Sequence, residues 1–117
     1  MNDALRDEIA QLYARMCYGL SDPTRILLVY ALAERDHNVT NLAEIVHQSQ
    51  PTVSRHLKVL RELHLVCSER HGRSIIYRLA DPRIIEALDL LRGVLSDNLH
   101  DQALLATTVN QSLALQR

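Results

Sequence analysis

The chain has 117 residues, 47% hydrophobic and 23% charged, a composition that fits one soluble globular domain with a modest core. Four Tyr with no Trp or Phe predict an aliphatic core, and no apolar run nears the roughly 18 residues of a membrane span. A net charge of −1 excludes a uniformly basic polyanion binder but not a chain whose charge is concentrated in one segment.

The opening MNDALRDEIA mixes acids and bases, so no secretory signal is expected there. Leu5, Ile9, Leu12 and Met16, with Tyr13 beside them, recur at helical spacing and predict a first helix with one apolar stripe, broken at Gly19. Ser21-Asp22-Pro23 reads as a helix start, with Asp22 as cap and Pro23 in the first turn. The run Ile26–Ala33 is apolar nearly all round and predicts a helix at the domain centre. The polar stretch 34–38 reads as a loop. Thr40 or Asn41 is placed to cap a short helix carrying Leu42, Ala43, Ile45 and Val46.

After the polar turn His47-Gln48-Ser49, a helix is expected to open at Pro51, with Val53, Leu57, Leu60 and His64 on one face, within about 60° of each other at 100° per residue. Two short helices around a tight turn, the second amphipathic and basic, have the form of a helix-turn-helix. Leu65–Arg70 and Ile75–Leu79, parted by His71-Gly72-Arg73-Ser74, predict a β-hairpin. Asp81-Pro82 starts another helix, with Ile84, Leu88, Leu91 and Leu95 in a stripe. Residues 1–100 form one domain in this reading. The tail 101–117, with Leu105, Val109 and Leu113 at i+4 spacing, is either a helical extension or frayed, because Thr107, Thr108 and Val109 weaken its helix propensity.

Charge gathers on the second half of this pattern. Between residues 51 and 80, Arg55, Lys58, Arg61, Arg70, Arg73 and Arg78 face only Glu62 and Glu69, a local excess that marks a compact nucleic-acid reader. On the helix from Gln50, short hydrogen-bonding groups come early and cations later. Gln50, Thr52, Ser54 and Arg55 are therefore expected at base edges. Lys58 and Arg61 are expected at phosphates, His56 on the shoulder either meets a phosphate or lines the edge of the core, and Arg73 at the hairpin tip is suited to a neighbouring minor groove. No glycine-rich phosphate cradle or nucleophile–base motif is present, so an enzyme is not expected. The rival class is a protein-interaction module of the same shape without DNA binding.

Leu20-Ser21-Asp22-Pro23-Thr24-Arg25, the run Gln50–Arg61, Gly72-Arg73 and Tyr77-Arg78-Leu79 resemble the ArsR/SmtB family of bacterial repressors over roughly residues 5–98. One departure is Leu63-His64-Leu65, where the family usually has a glycine before Leu-Val. The resemblance implies a mostly α winged helix-turn-helix with a small β-hairpin, a homodimer through the first and last helices, and operator binding released by an inducer. Leu5, Ile9, Leu12 and Met16, with Ile84, Leu88, Leu91 and Leu95, are independently suited to such an interface; burial within one chain is the alternative.

Many members of that family sense metals. The place of the family's thiol-rich motif is taken here by Asn38-Val39-Thr40-Asn41-Leu42, without cysteine. The four ligand positions on the last helix correspond to Asp81, Arg83, Val94 and Asp97, where Arg and Val replace histidines, so neither familiar metal site is intact and no cofactor is expected. Asp97, His100 and Asp101 share a face and are weighed as a non-standard metal site against a solvated helix end. His37 and His47 are expected to be exposed. Cys17 and Cys67 are too few for a disulfide framework and suit a reducing cytoplasm. They are the candidate redox residues for a peroxide or reactive-sulfur signal, against burial as small hydrophobes.

Overall fold

The computed structural model describes residues 1–115, and the chain divides into two compact units, Met1–Ile85 and the stretch from Glu86 onward. Helix α1 (Asp3–Gly19) starts where the Asn2 side chain accepts from the Leu5 N–H, at 2.7 Å. Helix α2 (Pro23–Glu34) starts as the sequence predicts, with Asp22 accepting from the Thr24 N–H and Pro23 in the first turn. Its burial is one-sided, however: Leu28, Val29 and Leu32 are in the core, while Leu27 is exposed.

The stretch read as a loop contains a two-residue strand, β1 (His37–Asn38), and helix α3 (Val39–Val46) follows directly. The cap of α3 is Asn38, whose side chain accepts from Asn41 N–H at 2.9 Å, not Thr40 or Asn41. Helix α4 (Gln50–Glu62) opens one residue before Pro51, capped by Ser49. Strands β2 (Val66–His71) and β3 (Ser74–Leu79) pair antiparallel, and β1 joins the other edge of β3, giving the order β1-β3-β2. The hairpin is tighter than the four-residue gap expected: His71 pairs with Ser74, leaving Gly72-Arg73 as the turn. Gly72 has φ +62, the left-handed geometry that two-residue hairpins use.

The core of the first unit is aliphatic. Leu28, Val29, Leu42, Val53, Leu57 and Leu60 are fully buried, joined by Val66 from β2. They come from α2, α3, α4 and the hairpin, so the apolar face of α4 is fixed by packing on three sides. Helix α5 (Arg83–Leu115) is a single helix that passes residue 100 without a break. Residues 116 and 117 of the tail lie outside the described residues. No helix among the described residues is long and apolar enough to cross a membrane.

Candidate nucleic-acid interface

Helix α4 is two-sided. Val53, Leu57 and Leu60 have no solvent exposure, whereas Gln50, Ser54, Arg55, Lys58 and Arg61 are all exposed, with Thr52 half-buried at the edge. The expected fourth member of the apolar face, His64, is not on it. The helix ends at Glu62, and His64 lies beyond the Leu63 cap, exposed, with φ +59. Its N–H bonds to Arg61 O and the Leu65 N–H to Leu60 O, the pair of bonds that ends a helix in a Schellman motif. The position where the family usually has glycine is thus a left-handed one, filled here by histidine.

The start of α4 is internally organised. Ser49 Oγ accepts from Thr52 N–H at 3.3 Å and donates to Thr52 Oγ1 at 2.9 Å, while Arg55 Nη2 donates to the same Oγ1 at 3.3 Å. Both bonds fall on the oxygen of Thr52, and the Arg55 fork is held over the helix start. At the other end, Arg61 Nη1 donates to Ser68 Oγ at 3.2 Å, tying the exposed cation to strand β2. Arg73 is at the exposed hairpin tip. The flank of the hairpin carries the ion pair Arg78–Glu69, with His71 Nε2 3.5 Å from the same carboxylate, both contacts exposed and long and worth little to stability.

His56 is half-buried, with Nδ1 3.1 Å from Arg25 Nη1. Arg25 is buried and bonds to the last carbonyls of α1: Nε to Gly19 O at 2.7 Å and Nη2 to Tyr18 O at 2.9 Å. In the sequence Arg25 stands in the Leu20–Arg25 motif without a role; a cation in the first turn of a helix as apolar as α2 is the signal that points to it. Asp22, at the same junction, is held below the usual carboxylate range, first by the Thr24 N–H and then by the nearby His56 and Arg25.

The sensing candidates fare unevenly. Asp81 is engaged by Arg83, which donates from its backbone N–H (2.9 Å) and through Nε and Nη2 (2.8 Å for the latter). The guanidinium first, then the amide, hold the Asp81 carboxyl below its ordinary range. A cation therefore already occupies one of the family's ligand positions, and Val94 offers no donor. Among the described residues no three His, Cys, Asp or Glu side chains converge as a metal site, so Asp97, His100 and Asp101 share a face without converging. His37 corrects the expectation of an exposed histidine: it is buried, and neither ring nitrogen has a partner among the described residues. Its backbone pairs with Tyr77 in the sheet, which draws the side chain inward. His47 is exposed, at the left-handed end of α3. Cys17 is exposed rather than buried, and Cys67 is half-buried.

Residues 22–68, which hold α2, the helix-turn-helix and the start of the hairpin, match the model of the bacterial regulatory protein, arsR family. The HTH-type transcriptional repressor SmtB of Mycobacterium tuberculosis is 40% identical over 74 residues, 63% of this chain and 55% of that protein. The chain thus spans little more than half the length of that relative. The HTH-type transcriptional regulator NmtR of Mycobacterium tuberculosis is 38% identical over 85 residues, covering 73% of this chain and 71% of NmtR. The solution structure of the homodimeric winged helix-turn-helix DNA-binding domain of Mb0332 from Mycobacterium bovis superposes with a TM-score of 0.74 at 23% identity, covering 85% of this chain and 91% of that one. With this sequence similarity and this fold, the chain is a winged helix-turn-helix protein and belongs to the arsR family of bacterial regulatory proteins.

Proposed function

We propose that this chain is a sequence-specific DNA-binding repressor, not an enzyme, that acts in the cytoplasm as a homodimer and leaves its operator when an inducer binds. The observation that carries this reading is the sidedness of α4. Its apolar face is fully consumed by the core, while Arg55, Lys58 and Arg61 remain exposed in a row behind Gln50, Thr52 and Ser54. A helix with base-reading groups at its start and cations along its shaft fits the major groove. Arg73 at the hairpin tip is the wing contact in this reading.

The dimer rests on apolar residues that a single chain leaves uncovered. On α1, Leu5, Ile9, Leu12 and Met16 are 36–57% exposed. On α5, Leu91 and Leu95 are 56% and 62% exposed, with Ile84 and Leu88 half-buried. Apolar stripes of this length on a folded domain mark an association surface.

The test is fluorescence anisotropy on the DNA upstream of the chain's own gene, titrated with salt. Binding should weaken linearly in log K against log salt. Lys58→Ala should lower that slope by about one per protomer and weaken all duplexes alike, whereas Arg55→Ala should relax sequence preference. A flat salt response would favour a protein-interaction module instead. For the signal, Cys17 is the thiol open to an oxidant. Operator affinity with and without peroxide or polysulfide, repeated on Cys17→Ser and Cys67→Ser, decides whether the inducer is redox chemistry; unchanged affinity throughout removes it.

A further inference from the structure

A buried guanidinium must have its charge and its N–H groups compensated. Arg25, at 8% exposure, is compensated from three segments. Nε and Nη2 serve the carbonyls of Gly19 and Tyr18, Nη2 also reaches Ser21 Oγ at 3.2 Å, and the group lies 5.4 Å from the centre of the Tyr18 ring. Only Nη1 is directed elsewhere, at Nδ1 of His56 on α4. Arginine is a donor and never an acceptor, and it does not lose its proton in proteins. In this contact Nδ1 must therefore supply the lone pair. The single proton of the neutral imidazole then sits on Nε2.

That nitrogen has no partner among the described residues and is not among the buried unpartnered polar atoms, so it retains contact with solvent. It does so on the flank of α4, one residue beyond Arg55. A phosphate oxygen only accepts hydrogen bonds. The Nε2–H tautomer offers it a donor; the opposite tautomer would offer it a lone pair.

We propose that Arg25 is a positioning residue for DNA binding: it holds His56 by Nδ1, so that Nε2–H donates to a phosphate beside the recognition helix. Arg25 does not touch the duplex. It ties the end of α1 and the start of α2 to one side chain of α4, and its effect on DNA passes through His56. This inference rests on the repressor reading above, but its first test does not need DNA.

Long-range 1H–15N correlation of the histidine rings in the full chain, at a pH where they are neutral, should show His56 as the Nε2–H tautomer. A Nδ1–H tautomer would overturn the inference, and this measurement stands even where a variant fails to fold. Operator affinity is then compared in a cycle of Arg25→Gln and His56→Ala. Arg25→Gln should lose about fivefold in the presence of His56, the worth of one ordinary hydrogen bond, and less than about twofold when His56 is already alanine. The salt slope should not move, because no cation that meets phosphate has been removed. An equal loss in both backgrounds would make Arg25 a fold-stabilising residue only. Absence of salt-dependent binding by the wild-type chain would sink the repressor reading and the phosphate contact together; a wrong tautomer in a chain that does bind DNA sinks this inference alone.

Discussion

His64 occupies a backbone conformation that its sequence position in the family assigns to glycine, and replacing it with glycine should stabilise the protein. The residue follows the α4 cap with φ +59, and its side chain is exposed, so little packing is lost on truncation. An L-residue in the left-handed region costs roughly 1–2 kcal/mol, somewhat less for histidine, which is enriched there among non-glycine residues. Glycine removes that cost but loses about 0.4–1 kcal/mol through the greater freedom of its unfolded chain. The net expectation for His64→Gly is a gain of about 0.5–1 kcal/mol, a few degrees in Tm for a domain of this size. The assay is equilibrium urea unfolding at one fixed protomer concentration, since a dimer's stability depends on concentration. His64→Ala is the control: it removes the same imidazole but keeps the Cβ, so it should be neutral or slightly destabilising. If glycine were no more stable than alanine at 64, the strain argument would be wrong.

His37→Leu should also stabilise, by about 1–3 kcal/mol, because it removes two buried ring nitrogens that lack partners at similar volume; urea unfolding checks it, and a loss of stability would expose a role for the imidazole. Ser49→Ala should cost about 1 kcal/mol as a lost cap and also slacken Thr52, which Ser49 holds at 2.9 Å, so operator affinity should fall further than the unfolding midpoint alone suggests. Asp22 has its pKa lowered by folding, so its contribution is complete above the ordinary carboxylate pKa of about 4 and is lost as pH falls through the lower folded value. Asp22→Asn should therefore flatten the acid limb of stability against pH and leave the alkaline limb unchanged.

What was legible in the sequence was what short-range rules decide. The Asp22-Pro23 start, the amphipathic period from Val53 to Leu60 and the hairpin around Gly72 each depend on residues within one or two turns of each other. Periodicity carries α4 too far at its end for a related reason. His64 continues the i+4 spacing from Leu60, and periodicity alone carries a stripe past a helix terminus. The terminus is set instead by backbone hydrogen bonds from His64 and Leu65 back to Arg61 and Leu60, for which the missing family glycine at 64 was the one available sign.

The harder misses are residues whose state depends on distant partners. His37 sits among Arg35, Asp36 and Asn38, a setting that argues for solvent, yet its strand pairs with Tyr77 on β3, forty positions along the chain. Cys17 errs in the opposite sense: an apolar helix invited burial, but α1 buries only Gly19 within the chain, and the face beside the thiol stays open. Arg25 shows why a motif can be seen without its physics. Its buried charge is tolerated only because the end of α1, the start of α2 and one shoulder of α4 arrive together around it. That same convergence joins it to helix α4 through the ring of His56. From sequence Arg25 stands in a motif without a role, and its bonds to the carbonyls of Tyr18 and Gly19 and to the ring of His56 exist only once the fold brings these groups together.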